Sequence, residues 1–431
     1  MKCVSCGTDN NLRDRTTNYG RCKNCNHHFA FDPKAGSRFT DMFFKRSLES
    51  ISANSTLYYT PKQFNYFLEK RLKSKQMKPL GCLIFCVTIG FFIFIFTQGN
   101  FSLTFLIISS LFCWNAWQQS SSGQNSISIR RAYTRALRFA GFFILGVGIV
   151  LSFQLPVQAS TGYILFAASS ALGLLVIYLA NQKSETEAYK ATSSFFTQTQ
   201  VNEWIERWTR YNTVEKMLPP SVPQQMEGEI NSEITSYSFD RVVVCDNNAI
   251  AHFLVTNNFH FEHNCAILSI QGYPESIFGT LLEMLKRNSD LKVYAFHDAT
   301  PSGVSLSYQL RIDPQWFGGT NINVYDLGLL PRHVLASQNM IVRHEPVLET
   351  EAQQLPTEVC QSLSAEELNW LKAGNYVELE SFTPQRLLQV LSRGIAESRT
   401  ESLNSIDSSN SVIYSENYSE SYFIYSSESF G

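Results

Sequence analysis

Apolar residues are concentrated along the chain rather than spread through it. Four stretches, 79–97, 101–117, 139–155 and 161–180, carry no charged residue. Each matches the ~17–25 residues that a helix needs to cross a bilayer, and they come as two close pairs. The pattern predicts four transmembrane helices over 79–180, arranged as two hairpins. The first begins behind a folded-looking N-terminal part, so it does not read as a cleavable signal peptide. Lys70, Arg71, Lys73, Lys75 and Lys78 precede the first span, and Arg130, Arg131, Arg135 and Arg138 lie between the second and third. The turns at 97–100 and 154–160 are uncharged. The positive-inside bias then predicts an integral membrane protein with its N- and C-termini in the cytoplasm. In the fourth span, Ala167 with Ala171 and Ser169 with Gly173 are small residues at four-residue spacing. Such faces let helices approach closely, including those of a second copy of the chain.

Outside the spans the periodicity differs. Residues 37–78 read as helical over about 38–72. Thr60-Pro61-Lys62-Gln63 is a helix start, with Thr as N-cap, Pro at the first helical position and Gln at the third. Phe64, Phe67, Leu68 and Leu72 then fall on one face, as in a winged-helix-like or helical-hairpin module. Residues 184–217 read as one long helix leaving the membrane. Its stripe of Val201, Trp204, Ile205, Trp208 and Tyr211 is expected to pack on a domain or a partner. Pro219-Pro220-Ser221-Val222-Pro223 closes the 181–224 segment as a linker.

From residue 241 the apolar runs are short and β-branched, at 241–245, 265–270, 291–296 and 322–325, with helical stretches at 248–256, 275–287 and 302–309 between them. This alternation predicts a parallel sheet covered by helices, in an α/β domain over 225–400. Chemistry in such sheets sits beyond the carboxyl ends of the strands. A helix, a strand-like 376–379 and a second helix from Pro384 follow across 364–394. Residues 401–431, rich in Ser, Glu and Tyr, read as a disordered tail.

Charge divides the chain in the same way. The net charge of −2 hides +9 over residues 1–79 (15 Lys/Arg against 6 Asp/Glu), +4 in the central loop and −15 over 181–431. The basic part suits anionic lipid or nucleic acid. The acidic part is a poor generic DNA binder. Four of the ten cysteines fall in the first 25 residues, as Cys3-x2-Cys6 and Cys22-x2-Cys25. Each pair sets two thiolates on one turn, and two such turns close a tetrahedral site. A structural Zn²⁺ is therefore expected in residues 1–36, with a full shell and no open position for catalysis. His27 and His28 read as surface or supporting residues. The arrangement resembles a zinc ribbon. A reducing compartment argues against disulfides.

Three motifs follow the second, third and fourth predicted strands: Gln271-Gly272-Tyr273-Pro274-Glu275, His297-Asp298-Ala299-Thr300-Pro301-Ser302-Gly303 and Leu327-Gly328-Leu329-Leu330-Pro331. In that order they resemble the Toprim domain of the A subunit of type IIB topoisomerases and its meiotic DNA-breaking relatives, over about residues 240–392. Tyr376-Val377-Glu378-Leu379-Glu380 resembles a segment that follows that domain. The resemblance implies a Mg²⁺ site built from a Glu after strand one and an Asp-x-Asp after strand three. Here the first position reads Cys245-Asp246, and at the second Asp298 is kept while Thr300 replaces the other Asp. Asp246 and Asp298 are the remaining candidate ligands. Asp246, displaced by one residue, would point away from Asp298 if the strand continued through it. Asp246 or Asn247 also reads as the cap of the next helix, and Thr300-Pro301 as the start of another.

The same relatives carry a nucleophilic Tyr in an upstream winged-helix module. Tyr66 is the loose match, and it reads as a packing residue. His297 reads as structural. Gly272, Gly303 and Gly328 fall at turns, where glycine permits backbone conformations that side chains resist. The chain has no Gly-rich phosphate loop and no HExxH.

The sequence thus describes a multi-domain chain: a small zinc ribbon, a four-helix transmembrane region and a C-terminal Toprim-like α/β domain. Two functions fit it. One is a membrane-anchored protein that presents a non-catalytic Toprim-like domain to a cytoplasmic protein partner or ligand. The other is a membrane-tethered, Mg²⁺-dependent DNA nuclease or transesterase using Tyr66, Asp246 and Asp298. Residues 231–330 hold 5 Lys/Arg against 10 Asp/Glu, whereas a DNA-cleaving domain is expected to offer a basic track, so the first is favoured. The absence of charge in the spans argues against transport.

Overall fold

The computed structural model describes residues 1–33, 36–73, 79–96, 101–122, 127–154, 159–186, 196–219, 239–275, 278–288, 290–337 and 340–407. Two compact units emerge. One comprises Met1–Lys70, Phe196–Met340 and Glu345–Gly431, and the other Arg71–Phe195 with Ile341–His344.

The first unit opens with α1 (Leu12–Thr17), set between the two cysteine pairs, followed by α2 (Asp41–Ile51) and α3 (Pro61–Lys73). The Asp41 carboxylate, buried at the start of α2, accepts the amides of Ala30 (3.1 Å) and Phe31 (2.7 Å) and so ties the cysteine segment to that helix. α3 starts where the capping pattern predicts. The Gln63 amide donates to Thr60 Oγ1 (3.1 Å), and the Thr60 amide to Gln63 Oε1 (2.9 Å).

In the second unit all four apolar segments are helical: α4 (Pro79–Phe96), α5 (Phe101–Ser121), α6 (Ile127–Gln154) and α7 (Ala159–Thr186). Among the described residues one helix, not four, is both long and apolar enough to cross a membrane, over Ile129–Val150; Phe166–Gln182 is a shorter apolar stretch. Phe112, Leu137, Ile144 and Val176 pack inside, while Phe139, Phe142, Phe143, Leu174 and Leu175 face outward. α6 and α7 approach where side chains are missing. A Cβ on Gly148 would lie 2.2 Å from Ser169 Oγ, and one on Gly173 3.0 Å from the Gly141 carbonyl oxygen. The Ser169/Gly173 face is therefore used within the chain, whereas Ala171 remains exposed.

α8 (Gln198–Thr209) belongs to the first unit and starts afresh at a capping box on Thr197, so 184–217 is not one long helix. Its stripe packs, as expected, on a domain. Trp204 meets Phe39 (ring centroids 5.0 Å apart), and Trp208 meets Phe44 (5.1 Å) and Phe31 (6.2 Å).

The C-terminal part is a parallel sheet of β1 (Arg241–Cys245), β2 (Cys265–Ser269), β3 (Lys292–Phe296) and β4 (Asn323–Asp326), in the order β2-β1-β3-β4. Its helices are α9 (Asn248–Thr256), α10 (Phe259–His263), α11 (Phe278–Lys286), α12 (Pro301–Val304), α13 (Leu306–Ile312), α14 (Pro331–Ala336), α15 (Pro346–Gln353), α16 (Thr357–Ser362), α17 (Ala365–Lys372) and α18 (Pro384–Asp407). Crossovers between parallel strands are right-handed. The chain steps one way from β1 to β2 and the other way from β2 through β3 to β4, so α9 covers one face and α11 and α13 the other. Val242, Val244, Val293 and Ala295 meet Leu281, Leu285, Leu306 and Leu310 in the core on the α11/α13 side. On the opposite face the hydroxyls of Tyr294 and Ser398, in α18, lie 2.7 Å apart.

The expected strands hold to within one residue at either end. The helix expected over 302–309 is two, parted at Ser305, and residues 401–407 continue α18 instead of opening a tail. Residues 408–431, most of the linker at 219–223 and the loops around 97–100, 123–126 and 155–158 lie outside the described residues.

Candidate functional site

The strand order reverses between β1 and β3, and open α/β sheets bind ligands in the crevice beyond the strands at such a point. Asp246 directly follows β1, and Asp298 lies two residues beyond β3. Asn247, not Asp246, caps α9, its Oδ1 accepting the Ile250 amide (2.9 Å). Asp246 is thereby free to accept the Asp298 amide through Oδ2 (2.7 Å). It does not turn away from Asp298, because β1 has ended at Cys245 and strand alternation no longer governs the next side chain. Asp298 Oδ1 accepts the Leu379 amide (2.6 Å), and the Ala299 amide donates to the Val377 carbonyl (2.9 Å). These two bonds carry Glu378 and Glu380 to the strand ends.

The first turns of α3 meet this acidic cluster. Lys62 Nζ donates to Glu378 Oε1 (2.5 Å) and lies 3.5 Å from Glu380 Oε2. The Thr60 hydroxyl, already an acceptor for Gln63, donates to Glu380 Oε1 (2.7 Å). Tyr66 is buried, as a packing residue would be, but its hydroxyl donates to Glu378 Oε2 (2.7 Å). Burial first, then the Asp246 and Glu378 carboxylates, push Asp298 well above the usual carboxylate range. Burial likewise raises Asp246 and Glu380. Burial alone would lower Lys62, but Glu378 and Glu380 outweigh it and raise the ammonium above its ordinary value.

His297 lies behind this cluster and is fully buried. Its Nδ1 is 2.8 Å from the Asp298 carbonyl and its Nε2 3.0 Å from Asp326 Oδ1. Both ring nitrogens face acceptors, so the imidazolium form satisfies both. Asp326 accordingly raises His297, and His297 lowers Asp326, each against the opposing effect of burial. This is the structural role expected of His297, and it gives two of the three turn glycines a different purpose from the expected one. Of the three, Gly272 alone has a left-handed φ (+90°). Gly328 is needed for space, since a Cβ there would lie 2.2 Å from His297 Cδ2. A Cβ on Gly303 would lie 2.2 Å from the Asp298 carbonyl oxygen. Thr300 caps α12 through the Gly303 amide (3.0 Å), as the Thr300-Pro301 pattern predicts.

At the N-terminus, Cys3, Cys6, Cys22 and Cys25 bring their four sulfurs within 4.8 Å of one another. The two turns repeat one geometry. The Cys3 amide donates to Thr8 and the Cys22 amide to His27 (3.0 and 2.9 Å), with Gly7 and Asn26 in the left-handed region. His28 stacks on Tyr211 (4.3 Å between centroids), and neither His27 nor His28 joins the cluster. Four thiolates in this arrangement fit a tetrahedral Zn²⁺.

Residues 241–318 match the family model of the Toprim domain shared by the topoisomerase 6 A chain and Spo11. This segment is a Toprim domain. No curated protein and no solved structure matches the chain. The matched Toprim residues run from the start of β1 to just past α13, and so include Asp246 and Asp298 but not Glu378 or Glu380. Sequence reasoning passed over those two glutamates and Lys62 as site residues. The available signal was the Glu-x-Glu in the segment that resembles the relatives' downstream region.

A Mg²⁺ ion would need several hard oxygens turned toward one point. Among the described residues no group of three or more carboxylates or histidines comes within reach of one ion, and the one cluster that does is the four cysteine sulfurs. The Toprim carboxylates Asp246 and Asp298 are instead held by backbone amides, and the neighbouring Glu378 and Glu380 by Lys62 and two hydroxyls. As arranged, this donor set does not fit Mg²⁺.

Proposed function

We propose that this protein is a membrane-anchored binding module whose Toprim domain engages a cytoplasmic protein partner or ligand without cutting DNA. The observation that carries the reading is the engagement of Glu378 and Glu380 by Lys62, Thr60 and Tyr66 of the same chain. Phosphodiester chemistry needs a divalent ion or an equivalent to offset charge on the attacking and leaving oxygens. A carboxylate face closed by its own helix does not offer that. The excess of acidic residues over 231–330 also disfavours nucleic acid. Detergent-solubilised full-length protein is expected to leave supercoiled DNA neither nicked nor relaxed in Mg²⁺ or Mn²⁺. Cleavage abolished by Asp298→Ala or Tyr66→Phe would instead establish the nuclease or transesterase reading.

In this reading α4–α7 are four spans, the cysteine cluster holds a structural Zn²⁺, and both termini are cytoplasmic. The outward-facing Phe139, Phe142, Phe143, Leu174 and Leu175 support a lipid environment, and the arginines between the second and third apolar stretches support the orientation. Cysteines introduced at Gln98 and Gln158 are expected to react with an impermeant thiol reagent on intact cells. One at Gly123 is expected to react only after permeabilisation, and labelling there on intact cells would refute the orientation.

A further inference from the structure

We infer that Lys62 is the resident cation of the acidic cluster at the strand ends of the Toprim domain: its ammonium, held by Glu378 and Glu380, takes the charge-compensating place of a divalent ion, and the first turns of α3 are the cluster's in-chain ligand. This rests on the binding-module reading and adds to it how the acidic face is kept closed. Three observations converge. Lys62 Nζ is 2.5 Å from one glutamate and 3.5 Å from the other, so a single cation spans two carboxylates. The residues flanking it engage the same pair, Thr60 through Glu380 and Tyr66 through Glu378, each at 2.7 Å. α3 thus reads the glutamates with an ammonium and two hydroxyls, and Gln63 Nε2 extends the contact to the Phe382 carbonyl (3.5 Å). Finally, Asp298 lies beside this pair, its carboxylate taking the Leu379 amide between the two glutamates, and Lys62 is the cation that faces Glu378, Glu380 and Asp298 together.

A carboxylate cluster deprived of this ammonium must protonate, take up a cation or loosen. Lys62 and a divalent metal are therefore competitors. Removing the ammonium is expected to create metal affinity where the intact chain has little. The hard-oxygen ligands of the cluster suit Mn²⁺, a spectroscopic probe, while zinc-loaded cysteines do not.

The test is Mn²⁺ binding to zinc-loaded, full-length protein in a neutral detergent, read from the free-ion electron paramagnetic resonance signal. Lys62→Met is expected to bind one Mn²⁺ at least tenfold more tightly than the intact chain, and adding Glu378→Gln is expected to remove the gain. Lys62→Arg, which keeps the charge, is expected to gain nothing. Equal Mn²⁺ affinity in the intact chain and Lys62→Met would overturn the inference. If Lys62→Met fails to fold, hydrogen exchange in the Glu378→Gln, Glu380→Gln double variant decides. Amides over residues 60–66 are expected to lose protection, and unchanged protection would overturn the inference. The DNA-cleavage assay is independent of both readouts, so cleavage by the intact chain refutes the binding-module reading by itself.

Discussion

Removing metal from the four-cysteine cluster is expected to unfold the N-terminal module of the intact protein. Among the described residues the buried apolar core around the cluster is Cys3, Cys22 and Phe29, with Met1 packed against it. A core of that size does not stabilise more than thirty residues against the roughly 1–2 kcal/mol of backbone entropy that each ordered residue costs. A structural Zn²⁺ in a small peptide module contributes about 10–16 kcal/mol at neutral pH, and this appears directly as folding free energy. The effect should spread, because Phe31 and His28 pack on Trp208 and Tyr211. Purified full-length protein is expected to carry one zinc per chain and to lose it in Cys22→Ser. On chelation, hydrogen exchange should rise across residues 1–33 and across 198–211. Well under one zinc per chain, or unchanged exchange after chelation, would refute a structural zinc site.

Gly328→Ala is expected to cost the Toprim domain about 3 kcal/mol or more, the upper end of what overpacking a core does. The added Cβ would lie 2.2–2.5 Å from three atoms of the His297 ring. That ring cannot step aside, because Asp298 and Asp326 hold it from both sides. Moving it breaks a buried charge pair, which typically costs about 3–5 kcal/mol when one partner is lost. Gly279→Ala is the control. Nothing lies within 4 Å of a Cβ at Gly279, near the start of α11, so the change should be neutral or slightly stabilising. Because the clash is with one side chain, Gly328→Ala should cost less in a His297→Ala background than alone. Urea unfolding of these variants beside the parent measures this. A Gly328→Ala protein within about 0.5 kcal/mol of the parent, the usual range of a surface change, would show that His297 is not fixed as described.

Local pattern decided a large part of this molecule. The β-branched runs bounded by turn residues located β1 to β4 within a residue, because strand period and breakers act over four to eight positions. The Cys-x2-Cys spacing determined the sulfur cluster, since both ligands of each pair sit on one turn. Thr60-Pro61 determined where α3 begins, because capping is satisfied within four residues. Even the motifs that resemble a Toprim domain were legible, as each is a strand end followed by a turn.

The composition of the site was decided elsewhere. Tyr66 and Glu378 are 312 residues apart in the chain, and Asp298 and Leu379 are 81 apart. No local rule relates them. The order β2-β1-β3-β4 sets Asp246 beside Asp298, and the Ala299–Val377 pairing then delivers the two glutamates. The end of β1 at Cys245 decided which way Asp246 turns, since a side chain past the last paired residue is released from strand alternation. Gly303 and Gly328 read in sequence as turn residues, yet their own backbone does not need the left-handed region. What they supply is room for His297 and for the backbone around Asp298, and the space beside a residue is set by what the fold brings against it.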